Sequence, residues 1–412
     1  MSASINGAAQ ILRPPADGMP YLRHDRAAEL SAEPGSVSTA GDDIAAFEAA
    51  ADAEIQIDAR GCAVIPGFVD CHTHLPFAGW REREYELKIA GASYERIARE
   101  GGGIRASARS LAATGDEQVL SQARALALEM LAHGTTTVEA KSGYGLSAEQ
   151  EIRSVRLAAE LSARIAQPLS STALLAHAVP DGYDTDGWMG AVESMLPAVL
   201  AAGRVTALDI YVESVAFANR HLERMGELAA GHGLDLRAHV EQFSCQHSVP
   251  VALAAGARSV DHLACLAESD LPALASAETA AVLLPGAEFM GAERVAPARA
   301  LADAGGICVL GSDLNPGTSP VLSMPLVIGL AVRRYGWSVT EALLAGTLNA
   351  AWVLRRSQRT GSLEVGKRAD VLVLDAPIGH IPYRLGHNPV GLVFVGGRLA
   401  HVRPDCAWRV AR

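Results

Sequence analysis

The segment Ile65-Pro66-Gly67-Phe68-Val69-Asp70-Cys71-His72-Thr73-His74 decides the fold class, because an apolar strand-like run leads directly into two histidines. Side chains at positions i and i+2 of a strand point to the same face, so both imidazoles can reach one metal ion. Two histidines that only hydrogen-bond to backbone groups are the alternative interpretation. The preceding Pro-Gly-Phe-Val-Asp favours a metal site at the end of a strand.

Seven further apolar runs follow, and Ala-, Leu- and Arg-rich stretches typical of helices separate them. This alternation predicts βα units around a parallel sheet. Eight such units predict an α/β fold, the TIM (β/α)8 barrel, whose active site lies at the carboxyl ends of the strands. The predicted strands are Ile65 to His74, Thr135 to Lys141, Leu169 to His177, Ala207 to Glu213, Asp235 to Glu241, Ser259 to Leu263, Ala280 to Leu284 and Gly306 to Asp313.

Polar side chains cluster at the predicted strand ends, as a barrel active site requires. They are His72, His74, Glu139, Lys141, His177, Glu213, His239, Glu241, His262 and Asp313. A mononuclear hydrolytic site needs about three or four nitrogen or oxygen ligands and one open position for water. With the two histidines of the first strand, His239 and Asp313 complete such a set. Taken alone, His239 is equally typical of a pocket histidine and Asp313 of a turn or helix cap.

His262 ends the sixth predicted strand and should face the same cavity. It is a candidate metal ligand, acid–base group or hydrogen-bond donor to a carbonyl, since imidazole titrates near neutral pH. The alternative is a structural histidine held by its neighbour Asp261.

The two chain ends differ from the middle of the chain. Short alternating runs such as Ala53 to Asp58 and Ala369 to Leu374 are typical of half-buried strands. We expect both ends to form one small β-sandwich domain, residues 1–65 and 358–412, beside a barrel domain of residues 66–357.

Composition excludes several classes of function. The formal charge of −11 over 412 residues argues against nucleic-acid binding, which needs a dense Lys and Arg surface. An acidic small-molecule substrate is compatible, because one or two arginines inside a pocket set the local field. The six cysteines form no Cys-x-x-Cys pair, so reduced thiols are expected. With no apolar run of about 20 residues and no secretion signal, we expect a soluble cytoplasmic protein without a membrane partner.

Together these motifs resemble the metal-dependent amidohydrolase superfamily and, more narrowly, the imidazolonepropionase family of histidine degradation. The resemblance runs from about Ile65 to Val395. The motifs that carry the narrower resemblance are Gly101-Gly102-Gly103-Ile104, Val138 to Leu146, Leu175-Ala176-His177-Ala178, Leu284-Pro285-Gly286, Asp313 to Thr318 and Gly361 to Asp370. Lys-Ser-Gly-Tyr-Gly and Asp-x-Asn-Pro-Gly point away from the deaminase and dihydroorotase branches.

The resemblance implies one Zn²⁺ or Fe ion on His72, His74, His239 and Asp313. It implies substrate contacts at Arg81, Tyr144, His177, Gln242, Asn315, Gly317 and Thr318, and catalytic roles for His262, Asp313 and His177. The implied reaction is hydrolysis of the ring amide C–N bond of 4-imidazolone-5-propanoate to N-formimidoyl-L-glutamate by a metal-bound hydroxide. Arg81 and Tyr144 suit the propanoate carboxylate, because a guanidinium makes charge-assisted hydrogen bonds. A homodimer is expected on the same basis.

Several alternatives stay open at this point. Arg81 begins the charged run Arg81-Glu82-Arg83-Glu84, which by itself is typical of a solvated helix face. Gln242 stands where many family members have a glutamate, so no general base can be assigned there. Another cyclic amidohydrolase or aminohydrolase of the superfamily is the alternative function, although a substrate without a carboxylate would have little use for Arg81. A non-catalytic barrel protein is disfavoured by the intact ligand positions.

Overall fold

Gly67 is the point at which the chain passes from one sheet to another. The computed structural model describes residues 2–92, 96–97, 101–291 and 294–411. Strand Ala63–Pro66 belongs to a mixed sheet, whereas strand Phe68–Asp70 belongs to a parallel barrel. A Cβ atom at residue 67 would lie 2.0 Å from Thr136 Oγ1, so the crossing requires glycine. The predicted strand from Ile65 to His74 is therefore two strands, followed by an extended segment that carries both histidines.

Both chain ends build the mixed sheet. Its strands are β1 (Ser2–Arg13), β2 (Ser31–Ala40), β3 (Asp43–Ala46), β4 (Ile55–Asp58), β5 (Ala63–Pro66), β14 (Val371–Leu374), β15 (Val390–Val395), β16 (Arg398–Val402) and β17 (Val410–Ala411). The order across the sheet is β16-β15-β14-β5-β1-β2-β3, and β4 pairs with β1 and β17. Because β14 pairs with β5, the two ends share one sheet. We propose that this sheet and the barrel are the two domains, divided near residues 65 and 358.

A parallel barrel of eight strands occupies the middle of the described chain. Its strands are β6 (Phe68–Asp70), β7 (Thr135–Lys141), β8 (Leu169–Ala176), β9 (Val205–Val212), β10 (Asp235–Val240), β11 (Ser259–His262), β12 (Ala280–Leu283) and β13 (Ile307–Leu310), each paired with the next. Every residue of β7 is buried, because a barrel strand packs on helices outside and on side chains inside. The predicted TIM barrel is confirmed, and β7 has the predicted limits.

Most helices separate the barrel strands, and the last four follow the final barrel strand. They are α1 (Glu82–Ile89), α2 (Ile104–Ala113), α3 (Asp116–Ala132), α4 (Ala148–Ser162), α5 (Thr185–Ala202), α6 (Asn219–Gly231), α7 (Ser248–Ala254), α8 (Leu271–Ser276), α9 (Pro285–Phe289), α10 (Ala298–Asp303), α11 (Met324–Tyr335), α12 (Val339–Ala345), α13 (Leu348–Val353) and α14 (His380–Tyr383). Helix α3 buries Val119, Ala123 and Met130, the spacing of one helix face. Among the described residues, none of these helices has the length and apolar character needed to cross a membrane.

The barrel closes between β13 and β6 through the residues that follow them. Asp313 N donates a hydrogen bond to His72 O at 2.9 Å, and His74 N donates to Leu314 O at 2.9 Å. Asp70 Oδ1 adds a side-chain contact to this seam, accepting from Ser312 N at 3.0 Å. The first and last strand ends, far apart in sequence, therefore lie side by side.

Candidate active site

The barrel seam brings three of the predicted metal ligands together. Asp313 Oδ1 lies 3.5 Å from His72 Nε2 and 3.3 Å from His74 Nε2. One ligand atom from each of these side chains lies within 4.8 Å of the other two, and all three side chains are buried. The sequence predicts His72 and His74 on a strand. They lie instead just beyond β6, where the hydrogen bonds of the seam hold them.

His239, at the end of β10, joins the same cluster from the opposite side. His72, His239 and His262 also place their ligand atoms within 4.8 Å of one another. The rings of His72 and His239 have centroids 4.6 Å apart, and those of His239 and His262 lie 5.3 Å apart. All four predicted ligands thus meet at one place, and His262 is a fifth nitrogen donor beside them.

The donor atoms of this cluster have the chemistry that a metal ion needs. Among the described residues, His72 Nε2, His239 Nε2 and Asp313 Oδ2 are buried without a hydrogen-bond partner, an arrangement that buried polar atoms normally avoid. Burial lowers the pKa of His72 and His74 well below the ordinary value and that of His262 to about 3. These imidazoles are therefore neutral at pH 7, the form that binds metal. A mixed nitrogen and oxygen set of this kind fits a divalent ion such as Zn²⁺ or Fe²⁺.

Two buried carboxylates fix the orientation of the histidines. His72 Nδ1 donates to Asp261 Oδ2 at 2.6 Å, and His239 Nδ1 donates to Asp209 Oδ1 at 3.0 Å. Each contact fixes the proton on Nδ1 and turns the Nε2 lone pair toward the cluster. Carboxylate–histidine pairs of this kind are the usual supports of metal-binding histidines.

Two buried cations hold those carboxylates in turn. Lys141 Nζ lies 2.7 Å from Asp209 Oδ2 and 3.2 Å from Glu139 Oε1, while Arg237 Nη2 donates to Asp261 Oδ2 at 2.7 Å. Arg237 also donates to Glu139 Oε1. Burial and the neighbouring guanidinium would lower the pKa of the Lys141 ammonium, but the surrounding carboxylates outweigh them and raise it.

The charges of this network complement a divalent cation. Two cations face three carboxylates, so the buried network carries one net negative charge. The carboxylate of Asp313 adds a second negative charge when it is ionised. Because isolated charge is costly to bury, a site of this balance is suited to a doubly charged ion.

Strained backbone marks the rim of the barrel at the same place. Four residues without the freedom of glycine have left-handed φ angles: Glu241 at 55°, His262 at 81°, Leu263 at 65° and Asp313 at 55°. Such conformations cost free energy and are concentrated at functional sites. Here they turn the chain sharply at the ends of β10, β11 and β13.

A cavity of about 380 Å³ opens over the cluster and collects most of the predicted substrate-binding residues. Its lining includes the predicted Arg81, Tyr144, His177, Gln242, Asn315 and Thr318, together with His74, His239, His262 and Asp313. Tyr211 and Phe243 also line it and were missed by the sequence analysis. A second cavity of about 400 Å³ shares Gln242, Phe243, His262 and Thr318 with the first and extends toward Lys88 and Glu288.

Arg81 is held at the edge of the cavity. Its side chain is only 8% exposed, with Nε 3.2 Å from Glu84 Oε2 and Nη1 donating to Ser107 Oγ at 2.9 Å. A Cβ atom at Gly317 would lie 1.8 Å from Arg81 Nη2, so Gly317 contributes space for the guanidinium rather than a side chain. The solvated-face interpretation is wrong for Arg81, although it holds for the exposed Glu82 next to it.

The loop after β13 is organised by Asn315. Asn315 Oδ1 accepts hydrogen bonds from Gly317 N at 2.9 Å and Thr318 N at 2.7 Å, and Nδ2 donates to Asp313 O at 2.7 Å. The side-chain amide of Asn315 therefore shapes the cavity wall next to Asp313.

Glu241 and Gln242 face in different directions. Glu241 Oε2 accepts from Gln246 N at 2.9 Å and Oε1 from Ser248 N at 2.7 Å, so this carboxylate holds the loop before α7. Gln242 lines the cavity.

Sequence reasoning missed the network beneath the histidines. Asp261 holds His72, not His262 as the alternative interpretation assumed. Asp209 and Arg237 lie inside strands and have no motif of their own. The available signal was charge at inward positions of otherwise apolar strands, as in Glu139 and Lys141 of β7.

Solved structures with the same architecture have low sequence identity to the chain. An adenosine deaminase from Xanthomonas campestris with bound zinc superposes with a TM-score of 0.69 at 20% identity, covering 97% of this chain and 93% of that one. A variant of atrazine chlorohydrolase from Arthrobacter aurescens, complexed with zinc and atraton, gives a TM-score of 0.71 at 18% identity, with coverages of 96% and 94%. At these identities the likeness establishes the fold alone.

Sequence relatives are more specific. The amidohydrolase family model matches residues 63–400. An imidazolonepropionase from Herpetosiphon aurantiacus is 40% identical over 359 residues, which is 84% of each chain. One from Rubrobacter xylanophilus is 44% identical over 349 residues, which is 83% of each chain. The chain belongs to the amidohydrolase family and, within it, to the imidazolonepropionases.

Proposed function

We propose that the chain hydrolyses 4-imidazolone-5-propanoate to N-formimidoyl-L-glutamate, a step of histidine degradation. The new bond joins a water oxygen to the ring carbonyl carbon, the amide C–N bond breaks, and a proton moves to the leaving nitrogen. One observation carries the proposal: a single cavity holds a histidine–aspartate cluster together with a buried arginine. Its relatives named imidazolonepropionase support the same reaction.

The cluster is the proposed site of one Zn²⁺ or Fe²⁺ ion, with His72, His74, His239 and Asp313 as ligands. When bound, such an ion supplies Lewis-acid chemistry, acidifying water and polarising a carbonyl oxygen. The buried Asp209 holds its histidine in the metal-binding tautomer by accepting the Nδ1 proton. Nitrogen and oxygen donors suit both metals, so the choice between them depends on availability.

Arg81 and Tyr144 are the proposed partners of the substrate carboxylate. Nη1 of Arg81 donates to Ser107 Oγ, whereas Glu84 lies at ion-pair distance from Nε without accepting a hydrogen bond from it. Nε and Nη2 are therefore the proposed nitrogens for the substrate carboxylate. The guanidinium is pre-organised, so little side-chain entropy is lost when the carboxylate binds. This arrangement explains why an acidic substrate suits a chain with a net charge of −11.

Asp313 is the proposed proton-transfer group, which takes a proton from the attacking water and passes it to the leaving nitrogen, and His262 is the proposed hydrogen-bond donor to the ring carbonyl. Asp313 Oδ2 is buried without a hydrogen-bond partner among the described residues, so it can accept the proton of the attacking water. Burial keeps His262 neutral, and a neutral imidazole can donate an N–H to the oxygen of the ring carbonyl.

His177 has a different proposed role. Its Nδ1 lies 3.1 Å from Gly143 O, and a carbonyl oxygen only accepts, so Nδ1 carries the proton. In the neutral ring Nε2 is then an acceptor, which suits an N–H of the substrate better than a developing oxyanion. Gln242 can donate and accept hydrogen bonds but cannot serve as a base.

The proposal is tested by following the absorbance of freshly generated 4-imidazolone-5-propanoate. The native protein should speed its decay, Asp313→Ala should abolish the effect, and Arg81→Ala should raise KM far more than it lowers kcat. The matched control is Arg83→Ala, which removes an exposed arginine from the same charged run.

A panel of substrates separates the proposal from its alternatives. Turnover of a neutral nucleobase or a cyclic amide without a carboxylate, with none of 4-imidazolone-5-propanoate, would assign the chain to another reaction of the superfamily. An equal loss of activity in Arg81→Ala and Arg83→Ala would contradict the carboxylate-binding role of Arg81. We also propose a cytoplasmic location, and a homodimer, whose molar mass size-exclusion chromatography with light scattering measures.

A further inference from the structure

Glu151 is a buried carboxylate that the proposed reaction does not use. It lies in the first turn of α4, and its residue is fully buried. Glutamate is rarely buried unless it is paired, and no cation is within ion-pair distance of Glu151 among the described residues. Its partners are backbone amides instead.

Three amides of one short loop converge on this carboxylate. Glu151 Oε2 accepts from Gly143 N at 3.0 Å, while Oε1 accepts from Gly145 N at 2.7 Å and from Leu146 N at 3.1 Å. These amides surround Tyr144 in the loop between β7 and α4. Hydrogen bonds to a charged acceptor are stronger than those between neutral groups, so the loop is held firmly.

The same loop positions a second residue of the cavity. Gly143 O receives the hydrogen bond from His177 Nδ1, and the rings of Tyr144 and His177 have centroids 5.3 Å apart. A displacement of Gly143 would therefore move Tyr144. It would also remove the carbonyl acceptor that fixes the proton of His177 on Nδ1.

The loop can adopt its observed conformation only because residues 143 and 145 are glycines. Gly143 has a φ of 112°, and a Cβ atom at Gly145 would lie 2.4 Å from Glu151 N. The two glycines let the backbone pass against the start of α4, where the carboxylate reaches their amides.

We propose that Glu151 is a positioning residue for substrate binding, which fixes Tyr144 and His177 through the backbone of residues 143–146. The inference rests on the proposed function, because it assigns Tyr144 and His177 to the substrate. Glu151 does not touch the metal ligands, so its removal should leave metal content unchanged.

Hydrogen exchange measures the clamp without any reaction. In the native protein, amides of the peptide spanning residues 142–147 should exchange slowly for a rim loop, and in Glu151→Gln they should exchange at least about tenfold faster. Glutamine has nearly the same shape and volume as glutamate. Its side-chain NH2 group would face a backbone N–H, so at least one hydrogen bond of the loop would be lost. The matched control, Glu149→Gln, removes an exposed carboxylate from the same helix turn and should leave exchange unchanged.

Kinetics with 4-imidazolone-5-propanoate then connects the clamp to binding. Glu151→Gln should raise KM by about tenfold or more at native metal content, and Tyr144→Phe should add little to that variant although it raises KM in the native background. Fast exchange of the loop in the native protein would overturn the proposal even if Glu151→Gln fails to fold. Unchanged exchange in a folded variant, or faster exchange with unchanged KM, would also overturn it. If the native protein turns over no imidazolonepropanoate, the proposed function fails, while the exchange data still decide whether the clamp exists.

Discussion

Replacing Asp261 by asparagine tests whether the buried network supports metal binding. Asp261 Oδ2 accepts from His72 Nδ1 at 2.6 Å and from Arg237 Nη2 at 2.7 Å, and Oδ1 accepts from Ser259 Oγ at 2.6 Å. Asparagine can keep this geometry, with its oxygen toward His72 and Arg237 and its NH2 group toward Ser259. The substitution therefore removes charge more than shape.

The expected loss follows from the role of this contact. Supporting carboxylates of metal-binding histidines typically contribute about 10- to 100-fold to metal affinity. That range corresponds to about 1.4–2.7 kcal/mol. The side chains of His72 and Asp261 are both fully buried, so solvent does not screen the interaction and the upper half of the range is expected.

Chelator competition with Zn²⁺ measures the apparent Kd of the native protein and of Asp261→Asn. The control is Asp270→Asn, because Asp270 Oδ2 pairs with His247 Nδ1 at 2.9 Å in another carboxylate–histidine contact, outside the metal-ligand cluster, in which the His247 side chain is 63% exposed. Asp270→Asn should bind zinc like the native protein. A Kd for Asp261→Asn within about twofold of the native value, in a folded protein, would refute the supporting role of the network.

Two further substitutions test the cavity and the pH dependence of stability. Gly317→Ala should displace Arg81 and raise KM at least about tenfold at unchanged metal content. The control Gly190→Ala lies in open space on α5 and should leave KM unchanged. Equal KM values for the two variants would contradict the close contact between Gly317 and Arg81. Burial raises the pKa of Glu288, which accepts from Tyr335 Oη at 2.9 Å, from 4.5 to about 7, so the stability supplied by its protonated form is lost as the pH rises from 4.5 to about 7. Glu288→Gln should remove up to about 3 kcal/mol of this loss between pH 5 and 8 in thermal unfolding, and an unaltered pH profile would contradict it.

Local patterns in the sequence were sufficient to predict the barrel and the histidines that cluster at its seam. Strand β7 follows from its β-branched run, and the proposed ligands follow from polar residues at strand ends. Local patterns did not predict where the strands end within the segment from Ile65 to His74. Gly67 divides that run because Thr136, about 70 residues away, approaches it, and a tertiary contact of this kind has no local signal.

The supports of the site were hidden for a related reason. Asp209 and Arg237 are single charges in apolar strands, and their pairing depends on which strands the barrel places next to each other. Glu151 resembles the exposed Glu149 of the same helix turn, because sequence does not show which of the two faces the loop. Sequence identified the residues that we propose for the metal and the substrate, but not the residues that hold their side chains in place.

The most direct test of the proposed reaction is product analysis after turnover in ¹⁸O-labelled water. The native protein should convert 4-imidazolone-5-propanoate to N-formimidoyl-L-glutamate with one labelled oxygen in the new carboxylate, and Asp313→Ala should give only the slow background. Persistence of the substrate with metal bound, or a product in which the ring amide is intact, would contradict the account.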